Sequence, residues 1–515
     1  MTNYRTKYIK IYLWQAISII LGFASLFIVV PYLSSNKTLY GIYSVCTSLT
    51  IFLSYADLGF LSSGLKYAAE YYIRGEKAEE VKVIGFTAIL MLIVFLVIDA
   101  VFVFLGFNPQ ILIPELEANT DNYRIAQTLI FLLASGCPLI IIQRVLSIIF
   151  TIRVEDYKYQ RITIFAGLLR ITAAVILFSG GKYRVVEYYA FYQFVNLLIV
   201  IVALISIKRY GYNVKSLIRA VRFDKGIFKK EISLSMASFL FMISMLLYNE
   251  LDQIAISNIF GIQAVALYAA AFSIMTFIRT YSSLVYSPYS SRYNHYIGIR
   301  DYHGLVEFTK KMVRMFGPIL VLPIVNVALF SDAFVVSWLG EEYTEAAILV
   351  SFLVLSYTPN FMTQPLSCYM TASEKNKKIV TGAILLPLVY WGGIIVLSQL
   401  LDVKSFAIMK FAAPALLVFF YWGVISQDVR KLGFAFLNPW KILGNLLVPI
   451  AVAVLMSYAL HPYMRYAHDR LSLFINILFI GVATIISLAS SLVTNKDLRE
   501  QLRIVFNKFI AVFIK

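Results

Sequence analysis

The sequence predicts an all-α polytopic membrane protein with about fourteen transmembrane helices, arranged as two parallel six-helix lobes plus a terminal helix pair. Three observations lead to this fold class: the composition, the number of long apolar runs and the distribution of basic residues. Hydrophobic residues make up 60% of the 515-residue chain and charged residues only 14%, with a mean hydropathy of +0.78. A soluble domain has roughly 45–50% apolar and about 25% charged residues. Lipid must therefore solvate most of this protein.

Apolar runs bounded by charged or turn residues place the individual helices, because a span needs about 20 such residues. The predicted spans are 11–33, 40–65, 83–106, 125–152, 161–180, 185–207, 231–257, 264–291, 312–331, 344–371, 378–400, 404–426, 438–460 and 471–493. The last segment, 495–515, mixes apolar and basic residues. It predicts an amphipathic helix on the cytoplasmic surface, with a partial fifteenth span as the alternative.

The basic residues orient these spans. With the N-terminus inside, 34 of the 45 Lys and Arg residues fall in cytoplasmic segments and seven in outer segments. Cytoplasmic loops accumulate Lys and Arg, so both termini are predicted to be cytoplasmic. The net charge of +17 then follows from topology and does not indicate nucleic-acid binding.

Short matches at an offset of 225 residues predict a duplicated six-span unit. Gly41–Tyr43 starts the second span and Ala266–Tyr268 starts the eighth. An even number of spans makes the two copies parallel, and a transport path between two such lobes is typical of transporters. The predicted parts are an N-lobe (1–210), a cytoplasmic basic linker (211–230), a C-lobe (231–430), spans 13 and 14 (431–494) and the amphipathic helix (495–515).

The sequence shows few features that are typical of an enzyme. The three cysteines are scattered, the four histidines form no metal-binding pattern, and no phosphate-binding loop is present. We therefore predict no catalytic residue, metal or cofactor, apart from H⁺ or Na⁺ as a coupling ion. The protein is predicted not to be an enzyme.

Four short motifs in a consistent order carry a resemblance to a known family. They are Gly41–Tyr43, Tyr55–Phe60 (YADLGF), Leu251–Ile256 (LDQIAI) and Ala266–Tyr268. With the span count, they resemble bacterial polysaccharide flippases of the multidrug/oligosaccharidyl-lipid/polysaccharide exporter superfamily.

This resemblance implies a function and a location. A member would move undecaprenyl-diphosphate-linked oligosaccharide repeat units from the inner to the outer leaflet of the bacterial cytoplasmic membrane, by alternating access. These repeat units would supply O-antigen or capsular polysaccharide. The implied partners are the lipid-linked oligosaccharide, membrane lipids and other polysaccharide-assembly proteins, and no nucleic acid.

Three other functions remain open from the sequence. A lipid II flippase or a drug or metabolite exporter would belong to the same superfamily. A membrane glycosyltransferase or polysaccharide polymerase usually has a large outer loop, whereas the longest one predicted here is only 107–124. A scaffold protein would leave the charges inside the spans unexplained.

Four cations fall inside predicted spans: Arg144, Arg170, Arg279 and Lys410. A charge at mid-span costs about 2.5–3.5 kcal/mol on insertion scales, so it usually faces a cavity or a partner. Because Arg grips phosphate in a bidentate manner, we predict that these cations bind the diphosphate. The alternatives are ion pairing between helices and, for Lys410, extension of the amine towards the outer surface.

Two carboxylates are candidates for coupling. Asp57 lies in the YADLGF motif and Asp252 in the LDQIAI motif. A carboxylate inside the membrane can carry a proton or bind Na⁺, and it can equally neutralise an arginine. We predict an ion-coupling or ion-pair role for both.

Overall fold

The structure is a computed structural model, and it describes residues 4–55, 60–181, 183–229, 243–286, 289–373, 375–495 and 498–500. Every regular element within these ranges is a helix, which confirms the predicted all-α class. The chain divides into two compact units, unit 1 (Met1–Ala269) and unit 2 (Ala270–Lys515). The finer five-part division remains a prediction.

Unit 1 contains long apolar helices joined by short connections. The described helices that begin in it are α1 (Tyr4–Ser34), α2 (Lys37–Ser48), α3 (Thr50–Tyr55), α4 (Phe60–Arg74), α5 (Lys77–Phe107), α6 (Asp121–Thr151), α7 (Asp156–Phe178), α8 (Val185–Lys208), α9 (Val214–Ala220), α10 (Asp252–Phe260) and α11 (Ile262–Tyr286). Within the unit, α1 packs against α7, α5 packs against α4 and α6, and α8 packs against both α6 and α7.

Unit 2 begins inside α11 and continues with further long helices. They are α12 (Ser290–Gly298), α13 (Tyr302–Leu329), α14 (Ser331–Leu339), α15 (Ala346–Leu355), α16 (Asn360–Ala372), α17 (Asn376–Leu401), α18 (Lys404–Lys431), α19 (Pro439–Leu460) and α20 (Arg470–Thr494). In this unit α17 packs against α18, α19 against α20, and α13 against α15, α16, α19 and α20.

Twelve stretches of the described chain are long and apolar enough to cross a bilayer, and each coincides with a predicted span. The other two predicted spans, 40–65 and 231–257, include residues outside the described ranges, as does most of the predicted amphipathic helix 495–515. The predicted span 344–371 is two helical segments, α15 and α16. The turn 356–359 between them ends in Pro359, which disfavours a helical conformation for the residue before it.

The turn between α10 and α11 requires a glycine. Gly261 has a φ of +81°, and a Cβ there would lie 2.0 Å from Oε1 of Glu115. The Ile262 backbone N–H donates to Oε2 of Glu115 at 3.1 Å. A carboxylate therefore satisfies the first turn of α11, where exposed N–H groups and the helix dipole favour a negative charge.

Arg153 and Glu80 form a buried ion pair at the charged ends of the unit 1 helices. The Arg153 side chain is 8% exposed and the Glu80 side chain 3%. Arg153 donates to Glu80 Oε1 at 3.1 Å, to the Ile149 carbonyl at 2.8 Å and to the Tyr212 hydroxyl at 2.7 Å. Its Cζ lies 4.6–5.2 Å from three aromatic ring centroids, those of Tyr72, Tyr210 and Tyr212.

A second carboxylate joins α1 to the same region. Glu155, in the loop between α6 and α7, accepts from Lys158 at 2.6 Å and from the Tyr210 hydroxyl, and it pairs with Lys7 of α1 at 3.3 Å. Burial raises the pKa of Glu155, but hydrogen bonds from Lys158, Tyr210 and Lys7 outweigh it and lower the pKa to about 2. The two carboxylates together connect α1, α5, the α6–α7 loop and the segment after α8.

Removing one member of the buried pair should destabilise unit 1. Glu80→Gln leaves the Arg153 charge buried without a counter-charge, which costs about 3–5 kcal/mol. We expect a clearly lower thermal unfolding midpoint for the purified protein in detergent. Glu79→Gln is the matched control, because Glu79 is exposed on the same helix and its pair with Lys82 spans 3.8 Å. Equal midpoints for the two variants would contradict a stabilising role for the pair.

Candidate functional site

Arg170 lies in the middle of α7 and its guanidinium faces α8. One terminal nitrogen donates to Oδ1 of Asn196 at 2.8 Å, and Cζ lies 3.7 Å from the centroid of the Tyr192 ring. Tyr192 and Asn196 are four residues apart on α8, so their side chains share one face. The neighbouring helix therefore holds the planar cation in a fixed orientation.

A chain of neutral amides supports this contact. The Asn196 Nδ2 group donates to Oε1 of Gln193 at 2.9 Å, and Gln143 of α6 donates to the Asn196 carbonyl at 3.0 Å. Gln193 and Asn196 are both buried. The amides fix Asn196 Oδ1 towards Arg170 and join α6, α7 and α8 through polar contacts.

The charge of Arg170 is not neutralised by the described chain. No carboxylate among the described residues lies within 4.0 Å of its guanidinium, and its Nε atom is buried with no hydrogen-bond acceptor in those ranges. Arg153, in contrast, has Glu80 as a counter-ion. Arg170 thus keeps a positive charge and an unused donor inside a predicted span, an arrangement suited to an anionic oxygen.

A glycine makes room for the amide chain. A Cβ at Gly136 of α6 would lie 2.3 Å from Oε1 of Gln193. Any larger residue would push the Gln193 amide out of its hydrogen bond with Asn196. The position of the Gln193 amide against α6 thus depends on the missing side chain.

Arg144, the second predicted cation in unit 1, directly follows Gln143 on α6. It is half-buried. Its carbonyl accepts from the Ser147 hydroxyl at 2.7 Å. Arg144 and Arg170 thus lie on α6 and α7, two neighbouring helices of unit 1.

Of the two predicted coupling residues, only Asp252 lies among the residues that the structure describes. Asp57 lies outside the described residues. Asp252, the first residue of α10, is 1% exposed and accepts a hydrogen bond from the hydroxyl of Tyr268 in α11. Asp252 is therefore a buried carboxyl with a proton donor as a partner.

In unit 2, Arg279 lies in the second half of α11. It is half-buried, and Ser282 and Tyr286 follow it by one and two turns. Within the described ranges, Ser282 Oγ and Tyr286 Oη are buried without a hydrogen-bond partner. The Tyr286 ring packs edge-on against Phe316 at 4.8 Å between centroids. Two unused hydroxyls thus lie along the face that Arg279 begins.

Lys410 is completely buried in unit 2. Its side chain is 0% exposed, and Nζ lies 4.6 Å from the centroid of the Tyr390 ring on α17. The alternative in which the amine extends towards the surface is therefore wrong, because α17 covers the side chain. The four predicted cations fall in two groups, with Arg144 and Arg170 in unit 1 and Arg279 and Lys410 in unit 2.

Sequence reasoning missed Asn196 and Gln193, which hold the Arg170 site together. Both are amides within the apolar run that forms α8. Two amides three residues apart in a predicted span are a usable signal, because a polar group in lipid needs a partner. The sequence does not reveal that the partner is Arg170 on the preceding helix.

Comparison with known proteins agrees with this architecture. Residues 5–294 match the family described as polysaccharide biosynthesis protein. The uncharacterized membrane protein EpsK of Bacillus subtilis (strain 168) is 29% identical over 145 residues, which cover 27% of this chain and 28% of EpsK. The matched part of the chain therefore spans less than a third of the length of EpsK.

Two solved structures share the fold at low sequence identity. The lipid II flippase MurJ, in an inward closed conformation, superposes with a TM-score of 0.69 and 12% identity, covering 96% of this chain and 99% of MurJ. An inward-facing multidrug resistance MATE family transporter of the MOP superfamily gives a TM-score of 0.56 and 15% identity, covering 82% of this chain and all of that one. These likenesses establish the fold.

Gly136→Ala should disturb the amide chain. Moving Gln193 removes the acceptor of the Asn196 amide and leaves a buried polar group unpaired, which costs about 1–3 kcal/mol. We expect a lower unfolding midpoint in detergent. Gly22→Ala in α1 is the control, since its Cβ would meet nothing within 4 Å, and it should be neutral or slightly stabilising. If Gly136→Ala and Gly22→Ala have the same unfolding midpoint, Gly136 is not required for the packing of the amide chain.

Proposed function

The chain belongs to the polysaccharide biosynthesis protein family, and on that premise we propose that it translocates undecaprenyl-diphosphate-linked oligosaccharide repeat units across the cytoplasmic membrane. The direction is from the inner to the outer leaflet, for O-antigen or capsular polysaccharide export. The chain is a multi-pass membrane protein with the fold of flippases and transporters of the multidrug/oligosaccharidyl-lipid/polysaccharide exporter superfamily.

The environment of Arg170 is the single observation that supports an anionic substrate. It is a cation within a spanning helix, held by an amide oxygen and an aromatic face, without a carboxylate partner in the described chain. A diphosphate offers the planar pairs of oxygens that a guanidinium binds best. A cationic drug would be repelled by the same group, which favours the lipid-linked diphosphate over that alternative.

The geometry suits a site that binds and then releases its ligand. Asn196 and Tyr192 orient the guanidinium before the ligand arrives, so little side-chain ordering is needed on binding. Because neither contact is ionic, a phosphate can replace or join them without breaking an ion pair. Arg170 would therefore hold the headgroup, while the lipid chain remains in the hydrocarbon.

Arg279 and Lys410 in unit 2, and Arg144 in unit 1, complete the proposed set of headgroup-binding cations. Arg279 heads a face with two unused hydroxyls, which are suited to sugar hydroxyls or phosphate oxygens. Asp252, bonded to Tyr268, is the described candidate for H⁺ or Na⁺ coupling, and Asp57 is the other. Alternating access between the lobes would expose these groups to each leaflet in turn.

Deleting the gene in its host and extracting the undecaprenyl-linked lipids tests this function. We expect one complete oligosaccharide repeat to accumulate on the inner leaflet, with loss of surface glycan. Accumulation of lipid II would identify a lipid II flippase instead. An unchanged lipid pool with intact glycan would favour an exporter of other compounds, and unpolymerised repeats on the outer face would favour a polymerase.

Complementation of the deletion strain tests the role of Arg170. Arg170→Ala should reduce glycan export by about tenfold or more at matched protein level, because a hydrogen bond to a charged group contributes about 1.5–3 kcal/mol. Asn196→Asp should also fail, since the new carboxylate neutralises Arg170 while keeping the side-chain shape. Arg124→Ala, at an exposed cation in the first turn of α6, is the control and should restore export. Normal export with Asn196→Asp would contradict a need for an uncompensated charge.

A further inference from the structure

A groove of about 520 Å³ runs along the surface of unit 1 between α7 and α8. We call it the α7–α8 groove. Its lining includes Arg161, Phe165, Ala166, Val195, Val202 and Arg209. Its volume falls in the usual range of ligand-binding clefts, about 300–1,000 Å³.

The walls of the groove are apolar along most of their length. The floor consists of Ala166, Val195 and Ile199, all buried, and these three side chains pack together. Phe165 and Val202 form the rims and are exposed. In a membrane-spanning segment, exposed apolar side chains face hydrocarbon, so the groove is open to lipid chains.

One end of the groove is strongly basic. Lys158 and Arg161 lie in the first two turns of α7, and Arg209 follows the last residue of α8. Lys158 is paired with Glu155 at 2.6 Å, whereas neither Arg161 nor Arg209 has a carboxylate within 4.0 Å in the described chain. Two exposed guanidinium groups therefore keep their charge at this end.

The basic end lies at the height of a membrane interface. Arg161 stacks over the Trp14 ring of α1 at 5.2 Å, and Tyr210 lies at the same end. Trp and Tyr concentrate where hydrocarbon meets headgroups. From Lys158 to Leu169 the groove rises by roughly 16 Å at 1.5 Å per residue, which is about half of a 30 Å hydrocarbon core. It therefore extends through one leaflet.

From these features we infer that the α7–α8 groove binds an anionic phospholipid of the leaflet at its basic end, predicted to be the cytoplasmic one. The phosphate lies between Arg161 and Arg209, and one acyl chain lies along the apolar walls. The basic end presents two exposed arginines, which suit the small headgroup of a bilayer phospholipid. A zwitterionic lipid gains less binding free energy there, because its ammonium group offsets the negative charge of the phosphate.

The bound lipid would support the Arg170 site. Arg170 follows Ala166 by one helical turn, and Asn196 directly follows Val195 of the groove floor. A chain that fills the groove packs against both α7 and α8 just below the contact between Arg170 and Asn196. The lipid composition of the membrane would then influence how firmly that contact is held.

Native mass spectrometry of the delipidated protein in detergent tests the inference. The probes are phosphatidylglycerol, phosphatidylethanolamine with the same chains, lysophosphatidylglycerol and inorganic phosphate. We expect phosphatidylglycerol and its single-chain form to bind, phosphatidylethanolamine to bind more weakly, and inorganic phosphate to leave them undisplaced. Arg161→Gln with Arg209→Gln should weaken phosphatidylglycerol binding by about thirtyfold, roughly fivefold for each basic residue near an anionic lipid.

Two further variants separate the groove from general surface charge. Arg219→Gln with Arg222→Gln removes two exposed arginines outside the groove and should leave binding nearly unchanged. Val202→Trp fills the groove from its exposed rim without changing charge, and it should weaken binding of both chain-bearing anionic lipids. Equal losses for the two arginine pairs would overturn the inference. Unchanged binding of phosphatidylglycerol to the Val202→Trp protein would also overturn it. A preference for undecaprenyl phosphate over phosphatidylglycerol that disappears in the protein with Arg161→Gln and Arg209→Gln would do the same.

Discussion

A charge buried in the protein has no water to compensate it, so the protein must supply the compensation itself. Unit 1 meets this constraint in two different ways. Arg153 is matched by Glu80, a backbone carbonyl, a hydroxyl and three aromatic rings. Arg170 has an amide oxygen and one ring, and it keeps its charge and a donor. The first arrangement stabilises helix ends, whereas the second is the one that we propose binds an anion.

The same constraint explains why the Arg170 site lies at a junction of three helices. Neutral amides can orient a guanidinium without cancelling its charge: Asn196 of α8 accepts from Arg170 of α7 and is itself held by Gln193 and by Gln143 of α6. Gly136 leaves room for the Gln193 amide that accepts from Asn196. In unit 2, Lys410 is completely buried and lies over the Tyr390 ring. Each unit therefore carries a positive charge inside its helices.

Much of the fold could be predicted from the sequence because lipid imposes long apolar runs with clear ends. The twelve described spans coincide with predicted ones for this reason. The break at 356–359 was missed, because a proline within an apolar run does not itself reveal where a helix divides. Arg170 could be found as a charge in a span. Its partner Asn196 lies 26 residues away and the partner of Arg153 lies 73 away. Such distant pairs depend on helix packing, which composition and spacing do not encode.

The central claim is that Arg170 recognises the diphosphate of a lipid carrier. The most direct measurement is the affinity of the purified protein for undecaprenyl diphosphate relative to uncharged undecaprenol, by native mass spectrometry, for the wild type and Arg170→Ala. We predict that the wild type prefers the diphosphate and that Arg170→Ala loses about tenfold or more of this preference. A folded Arg170→Ala protein that kept the full preference would contradict the account, and headgroup binding would then have to be sought at other residues.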